Sequence, residues 1–203
     1  MLPIYNIKID LTDNETGVYT VSLVESPAVE VDFLTFSHKE EPIQLQFNDE
    51  KYVITGVALR ADHPIYRNSV NYGEHYVVFN KETIRQIVEK YSKFGFNNLV
   101  NIEHDQNHYV DNIIMLESYI VDKERGLNPI EFDVSDGSWI VSYKVNDITL
   151  WDKIKKGEVK GFSVEGLFRY SEPESVDFHA EKPADNTILL NDLDRFIENL
   201  LED

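Results

Sequence analysis

The chain has 203 residues, 42% hydrophobic and 12% aromatic, enough for one domain with a sizeable core plus appendages. It carries 19 Lys and Arg against 37 Asp and Glu, a net charge of −18, which argues against a nucleic-acid backbone as ligand because such binding needs cations to replace counterions. Cysteine is absent, excluding disulfides and thiol chemistry; no apolar run reaches the length of a membrane span and the opening residues lack a signal-peptide pattern, so the expectation is a soluble protein of a reducing compartment.

Residues 4–10 (IYNIKID) and 17–24 (GVYTVSLV) alternate in polarity across a polar TDNET stretch, which predicts a hairpin. Residues 29–36 (VEVDFLTF) alternate as well, and 37–42 (SHKEEP) form a charged linker. This sets off an N-terminal β extension, residues 1–47, from a main domain, 48–170. The domain opens with predicted strands over 51–60 and 72–79. Asn80 is placed to cap a helix whose Ile84, Ile87, Val88 and Tyr91 recur at helical spacing, with Gly95 at its end. Strands are predicted over 97–104, 112–121 and 138–145. A short helix over 147–157 has Asp147 at the cap, Ile148, Trp151 and Ile154 on one side and Gly157 at the stop. KGFSVEGLFRY (160–170) reads as a further strand. Residues 171–203 hold ten acids and two bases: a polar, Pro-containing linker, then an amphipathic helix over 187–203 with Leu190, Leu193, Phe196, Ile197 and Leu200 in register. The pattern predicts a mostly β, α+β chain, with a closed or nearly closed β-barrel and helices packed outside it.

Period-2 alternation places Ser163 and Glu165 on one face of the last strand, with Cα atoms roughly 6–7 Å apart. Gly161 and Gly166 bracket them and allow close backbone approach. A serine needs a base, usually a histidine oriented by a third polar group. Of six histidines, His38 lies in a linker, His179 in the tail and His63 before a proline, while His75 and His108 sit among tyrosines. His104 ends an apolar strand, LVNIEHD, where the chain turns polar and side chains reach a cleft. Glu165 could then orient a histidine arriving from a neighbouring strand. GFSVEG does not match the G-x-S-x-G elbow, which disfavours an α/β-hydrolase. A second reading of EHDQNH makes His104 and His108 a helical i, i+4 metal pair with Asp105 and Asp111 nearby. It lacks the H-E-x-x-H pattern, and neither a metal nor a cofactor is expected.

The set NIEHD, SWIVSYKV, LWDKIKKGEVKG and GFSVEG resembles the XkdF-like serine proteases of tailed phages, a branch of the prohead proteases similar to herpesvirus assemblins. VSLVESPAVEVDF looks like their lead-in, so the resemblance spans about residues 4–170. It implies an assemblin-like β-barrel flanked by helices, with His104 as base and Ser163 as nucleophile. It implies cleavage of scaffold and capsid-protein propeptides inside the immature head in the host cytoplasm. The partners would be the major capsid protein, the scaffold or further copies of the chain, with no nucleic acid and no membrane. The third member is not implied. Glu165 is the choice from strand geometry, with His179 and Asp177 as alternatives. A different class of function stays open: an inactive protease-like internal head or scaffold component.

Overall fold

Two side-chain caps start the helices where the sequence places them. The Asn80 side chain accepts from Thr83 N at 2.8 Å, and that of Asp147 from Leu150 N at 3.0 Å. A computed structural model gives the coordinates and describes residues 2–27 and 43–171. In chain order the elements are β1 (Ile4–Lys8), β2 (Gly17–Val24), β3 (Gln46–Asn48), β4 (Val53–Leu59), β5 (Pro64–Ser69), β6 (Gly73–Val78), α1 (Lys81–Lys93), β7 (Val100–Ile102), β8 (Ile113–Ile120), β9 (Trp139–Val145), α2 (Ile148–Lys155), β10 (Gly161–Leu167) and β11 (Arg169–Tyr170). The predicted strand 29–36 and helix 187–203 lie outside the described residues.

Helix α1 buries Ile84, Ile87 and Tyr91, and Gly95 follows its end at φ 73°. Burial pushes the Tyr91 phenol up to about 12. Helix α2 buries Leu150, Trp151 and Ile154, whereas the expected Ile148 is 72% exposed. At about 100° per residue, the buried stripe centres near Ile154 and leaves Ile148 off it. Strand β7 is shorter than its apolar run, because residues 96–98 form a 3-10 turn. Strand β5 was not expected; its proline stands at the first position, where no ladder donor is required.

The strands form three sheets, β11-β1-β6-β5, β10-β2-β7 and β3-β4-β9-β8. The fold is therefore mostly β with two α-helices, as expected, but the sheets are open and the described residues form no closed barrel. The ladder does not continue from β10 to β4, and the two meet through side chains instead. The Phe162 ring lies over Gly56, where an added Cβ would come within 2.8 Å of it. Strands of the N-terminal stretch share these sheets: β1 lies between β11 and β6, and β2 between β10 and β7. Both β1–β6 and β2–β7 are parallel. One core joins the sheets to the helices, with Val21, Leu23, Ile54, Ile87, Trp139 and Trp151 fully buried.

Because Gly56 carries the Phe162 ring, Gly56→Ala should lower unfolding stability by about 1–3 kcal/mol through overpacking. Urea denaturation read by tryptophan fluorescence checks this; unchanged stability would mean that the ring moves aside freely.

Candidate active site

Sheet β10-β2-β7 builds the site. Ser163 of β10 stands opposite Ser22 of β2, and Ser22 stands opposite Asn101 of β7. Directly opposed residues point to the same face, so all three share it with Glu165, two residues beyond Ser163. A bulge follows: Glu165 pairs with Thr20 but Gly166 with Val18, which leaves Tyr19 as the extra residue. Gly166 is required here, because an added Cβ would lie 2.1 Å from the Gly17 carbonyl oxygen. Gly161 packs closely on Pro27, where an added Cβ would lie 2.5 Å from Cγ. Both glycines thus allow the close approach their positions suggested, to protein neighbours in each case.

His104 reaches this face from a tight turn. Glu103 and His104 have φ of 54° and 61°, and Asp105 N donates to Ile102 O at 3.0 Å, the pattern of a type I′ turn. Two successive non-glycine residues in the left-handed region are strained and need outside support. Glu103 supplies it. Its N–H donates to Leu23 O at 3.0 Å, and its Oε1 accepts from Glu25 N at 2.6 Å, which ties the turn to the end of β2.

Glu165 Oε1 is the hub. It accepts from Asn101 Nδ2 at 2.5 Å and from Ser22 Oγ at 2.9 Å, and lies 3.2 Å from His104 Nδ1. Ser22 Oγ is also 3.0 Å from Nδ1. With the Ser22 proton committed to the carboxylate, both oxygens facing Nδ1 are acceptors. Nδ1 therefore carries a hydrogen, so that in the neutral ring the lone pair is on Nε2, the tautomer of a general base. Burial pushes the Glu165 carboxyl up, but the hydrogen bonds from Asn101, Ser22 and His104, with the field of the imidazole, outweigh it and hold the group below the usual glutamate range.

The structure thus brings together two of the three predicted residues, His104 and Glu165, in direct contact. Ser163 lies on their face but makes no side-chain hydrogen bond among the described residues and is 6% exposed. Ser22 and Asn101 were missed. Both are fully buried polar residues inside apolar strands. That oddity is visible in VSLV and LVNI, but the partner is not. The EHDQNH segment forms turns rather than a helix, so the i, i+4 pairing of His104 and His108 is not realised. His75 is buried elsewhere, against the rings of Tyr5, Tyr72 and Tyr170. His63 lies near Arg60, 3.4 Å from its Nη1. His38, His179 and Asp177 fall outside the described residues.

A mostly β chain with a hydroxyl, an imidazole and a carboxylate on one sheet face has the residue types of a serine hydrolase. It belongs to the family described as putative phage serine protease XkdF, whose model matches residues 42–172. That span holds Asn101, His104, Ser163 and Glu165, whereas Ser22 precedes it. No curated protein and no solved structure matches the chain.

The depressed Glu165 carboxyl has a consequence for stability. A glutamate lowered on folding stabilises fully above its unfolded value, about 4.3, and the contribution is lost as pH falls through the lower folded value. The stability gap between wild type and Glu165→Gln should therefore be larger at pH 7 than at pH 3, measured by urea denaturation. An equal gap at both would show that the donors around Glu165 do not favour its ionised form.

Proposed function

We propose that the chain is a serine endopeptidase with Ser163 as nucleophile, His104 as general base and Glu165 as the group that orients His104. The 3.2 Å contact between His104 Nδ1 and Glu165 Oε1, with Ser163 on the same face, carries this reading. Ser163 Oγ attacks the scissile carbonyl carbon while its proton passes to His104 Nε2. The tetrahedral adduct collapses, the C–N bond breaks, and the imidazolium returns the proton to the leaving amine. Water, deprotonated by the same nitrogen, then hydrolyses the acyl-enzyme. Glu165 stays ionised and stabilises the imidazolium formed in each half. The missing Ser163–His104 hydrogen bond is compatible with this, since such bonds often tighten only with substrate bound.

The family supports a phage role. We assign the enzyme to prohead maturation, where it cuts scaffold and capsid-protein propeptides inside the immature head, in an assemblin-like manner. Its own polar stretch 171–188 is a further substrate when copies are confined together. The low exposure of Ser163 and its lack of a side-chain hydrogen bond among the described residues favour one other reading, an inactive protease-like head component.

Purified protein incubated with its capsid protein separates the two. Wild type should cleave it and be labelled by a fluorophosphonate at Ser163. Ser163→Ala should do neither while its unfolding free energy stays within about 0.5 kcal/mol of wild type, because it removes a hydroxyl without hydrogen-bond partners among the described residues. Glu165→Gln should slow cleavage by roughly 10²- to 10⁴-fold through loss of the charge that fixes His104. Mass spectrometry should find wild type cut between residues 171 and 188 and Ser163→Ala intact. A Ser163→Ala protein that still cleaves would remove Ser163 from the mechanism.

A further inference from the structure

Lys90 of α1 is 5% exposed, and a lysine is rarely buried to that degree without partners. Its partners are three backbone carbonyls of the loop between β1 and β2. Nζ donates to Asp10 O at 3.0 Å, to Asp13 O at 2.5 Å and to Thr16 O. An ammonium carries three hydrogens, so these acceptors take all of them. The loop closes on itself through Asp10 N, which donates to Thr16 Oγ1 at 2.9 Å, and the cation that fills it comes from the helix. Lys90 thereby fastens the start of β2 to α1.

The last of these carbonyls adjoins the bulge beside the site. Thr16 precedes Gly17, the first residue of β2, whose φ of 128° favours glycine. The Lys90 stem runs along Gly17, where an added Cβ would meet Cε at 3.7 Å. Gly17 O in turn is the atom that Gly166 packs against, and Gly166 follows Glu165. In register, Gly17 pairs with Leu167 and Val18 with Gly166, and Tyr19 is then the extra residue before Thr20 meets Glu165. The half of β2 held by Lys90 is thus the half that sets the bulge, and a bulge decides where the side chain next to it points. Arg169 holds the same loop from the far side, with Nη2 donating to Asp13 Oδ2 at 2.8 Å, but that pair is exposed and such pairs contribute little.

Resting on the assignment of Glu165 as the group that orients His104, we propose that Lys90 is a positioning residue for this pair. Its ammonium fixes the β1–β2 loop, and through Gly17 and the bulge it sets where the Glu165 carboxylate meets Nδ1. Removing the ammonium leaves three inward carbonyls unpaired, which costs free energy until the loop shifts to hydrate them. That shift carries Gly17 with it, releases Gly166 and draws the carboxylate off its 3.2 Å contact with His104. The role needs hydrogens as well as charge. Lys90 also lines a groove with Phe94, Phe96 and Leu167, of which Phe94 and Leu167 are exposed, so a small amine can reach the cradle once the stem is gone.

Lys90→Ala tests this with n-propylammonium, which replaces the missing atoms, and with tetramethylammonium, which brings charge without N–H donors. One readout is cleavage of the capsid protein; the other, free of turnover, is the His104 Nδ1–H resonance in protein without substrate. Ile87→Val, which truncates the core of α1 and leaves the ammonium in place, controls for lost stability. Lys90→Ala and the milder Lys90→Gln should lower kcat by about tenfold to a hundredfold with KM little changed, and should weaken the resonance, while Ile87→Val stays near wild type in both. Propylammonium should restore rate and resonance to Lys90→Ala, and tetramethylammonium neither. A loss of rate in the Lys90 variants no greater than in Ile87→Val would overturn the role of Lys90 and leave the protease assignment standing. A resonance lost in Lys90→Ala and regained with propylammonium, in a protein that cuts nothing, would support the positioning role and remove the protease assignment. A Lys90→Gln protein that does not fold would make Lys90 a residue of stability alone and overturn the proposal.

Discussion

One carboxylate organises the site. Glu165 is largely buried, and a buried anion is tolerated only when donors replace the water it has lost. The donors come from β2 and from β7, and the imidazole from the turn that follows β7. Each is far from Glu165 in sequence, so the hydrogen bonds exist only when sheet β10-β2-β7 is assembled in one register. A slip of one residue along β10 would turn Glu165 towards the core and Ser163 with it. Satisfying the anion and aligning the strands are therefore one requirement.

Close approach fixes that register from outside the site. Gly166 lies against the Gly17 carbonyl and Gly161 against Pro27, so neither end of β10 can shift without a clash. The turn that carries His104 is held in a strained conformation by the two bonds of Glu103 to the end of β2. The histidine is thus positioned by the same strand that supplies Ser22. The strain is local, and the packed sheet beneath it bears the cost.

Ser163 sits where two environments meet. One is the polar face with the Glu165–His104 pair; the other is a small apolar recess lined by Phe162 and Arg67. In the mechanism proposed above, the polar face is the one that supplies the reacting hydroxyl with a base. The contact of Phe162 with Gly56 places the recess by bringing β4 against the open side of β10.

The sequence by itself determined the local features. Helix caps at Asn80 and Asp147, the β2 span and the shared face of Ser163 and Glu165 follow from short-range propensity and period, and they appear as read. Glu165 as a partner for His104 was also legible, because one strand face and one strand end limit the choices. The open sheets, the roles of Ser22 and Asn101 and the position of Arg67 were decided only by tertiary structure. A polar residue in an apolar strand reads as an anomaly, but which anion it serves depends on pairings across 143 residues for Ser22 and 64 for Asn101. Alternation says which residues share a face and nothing about which strand lies opposite; strand order is set by the packing of the whole core.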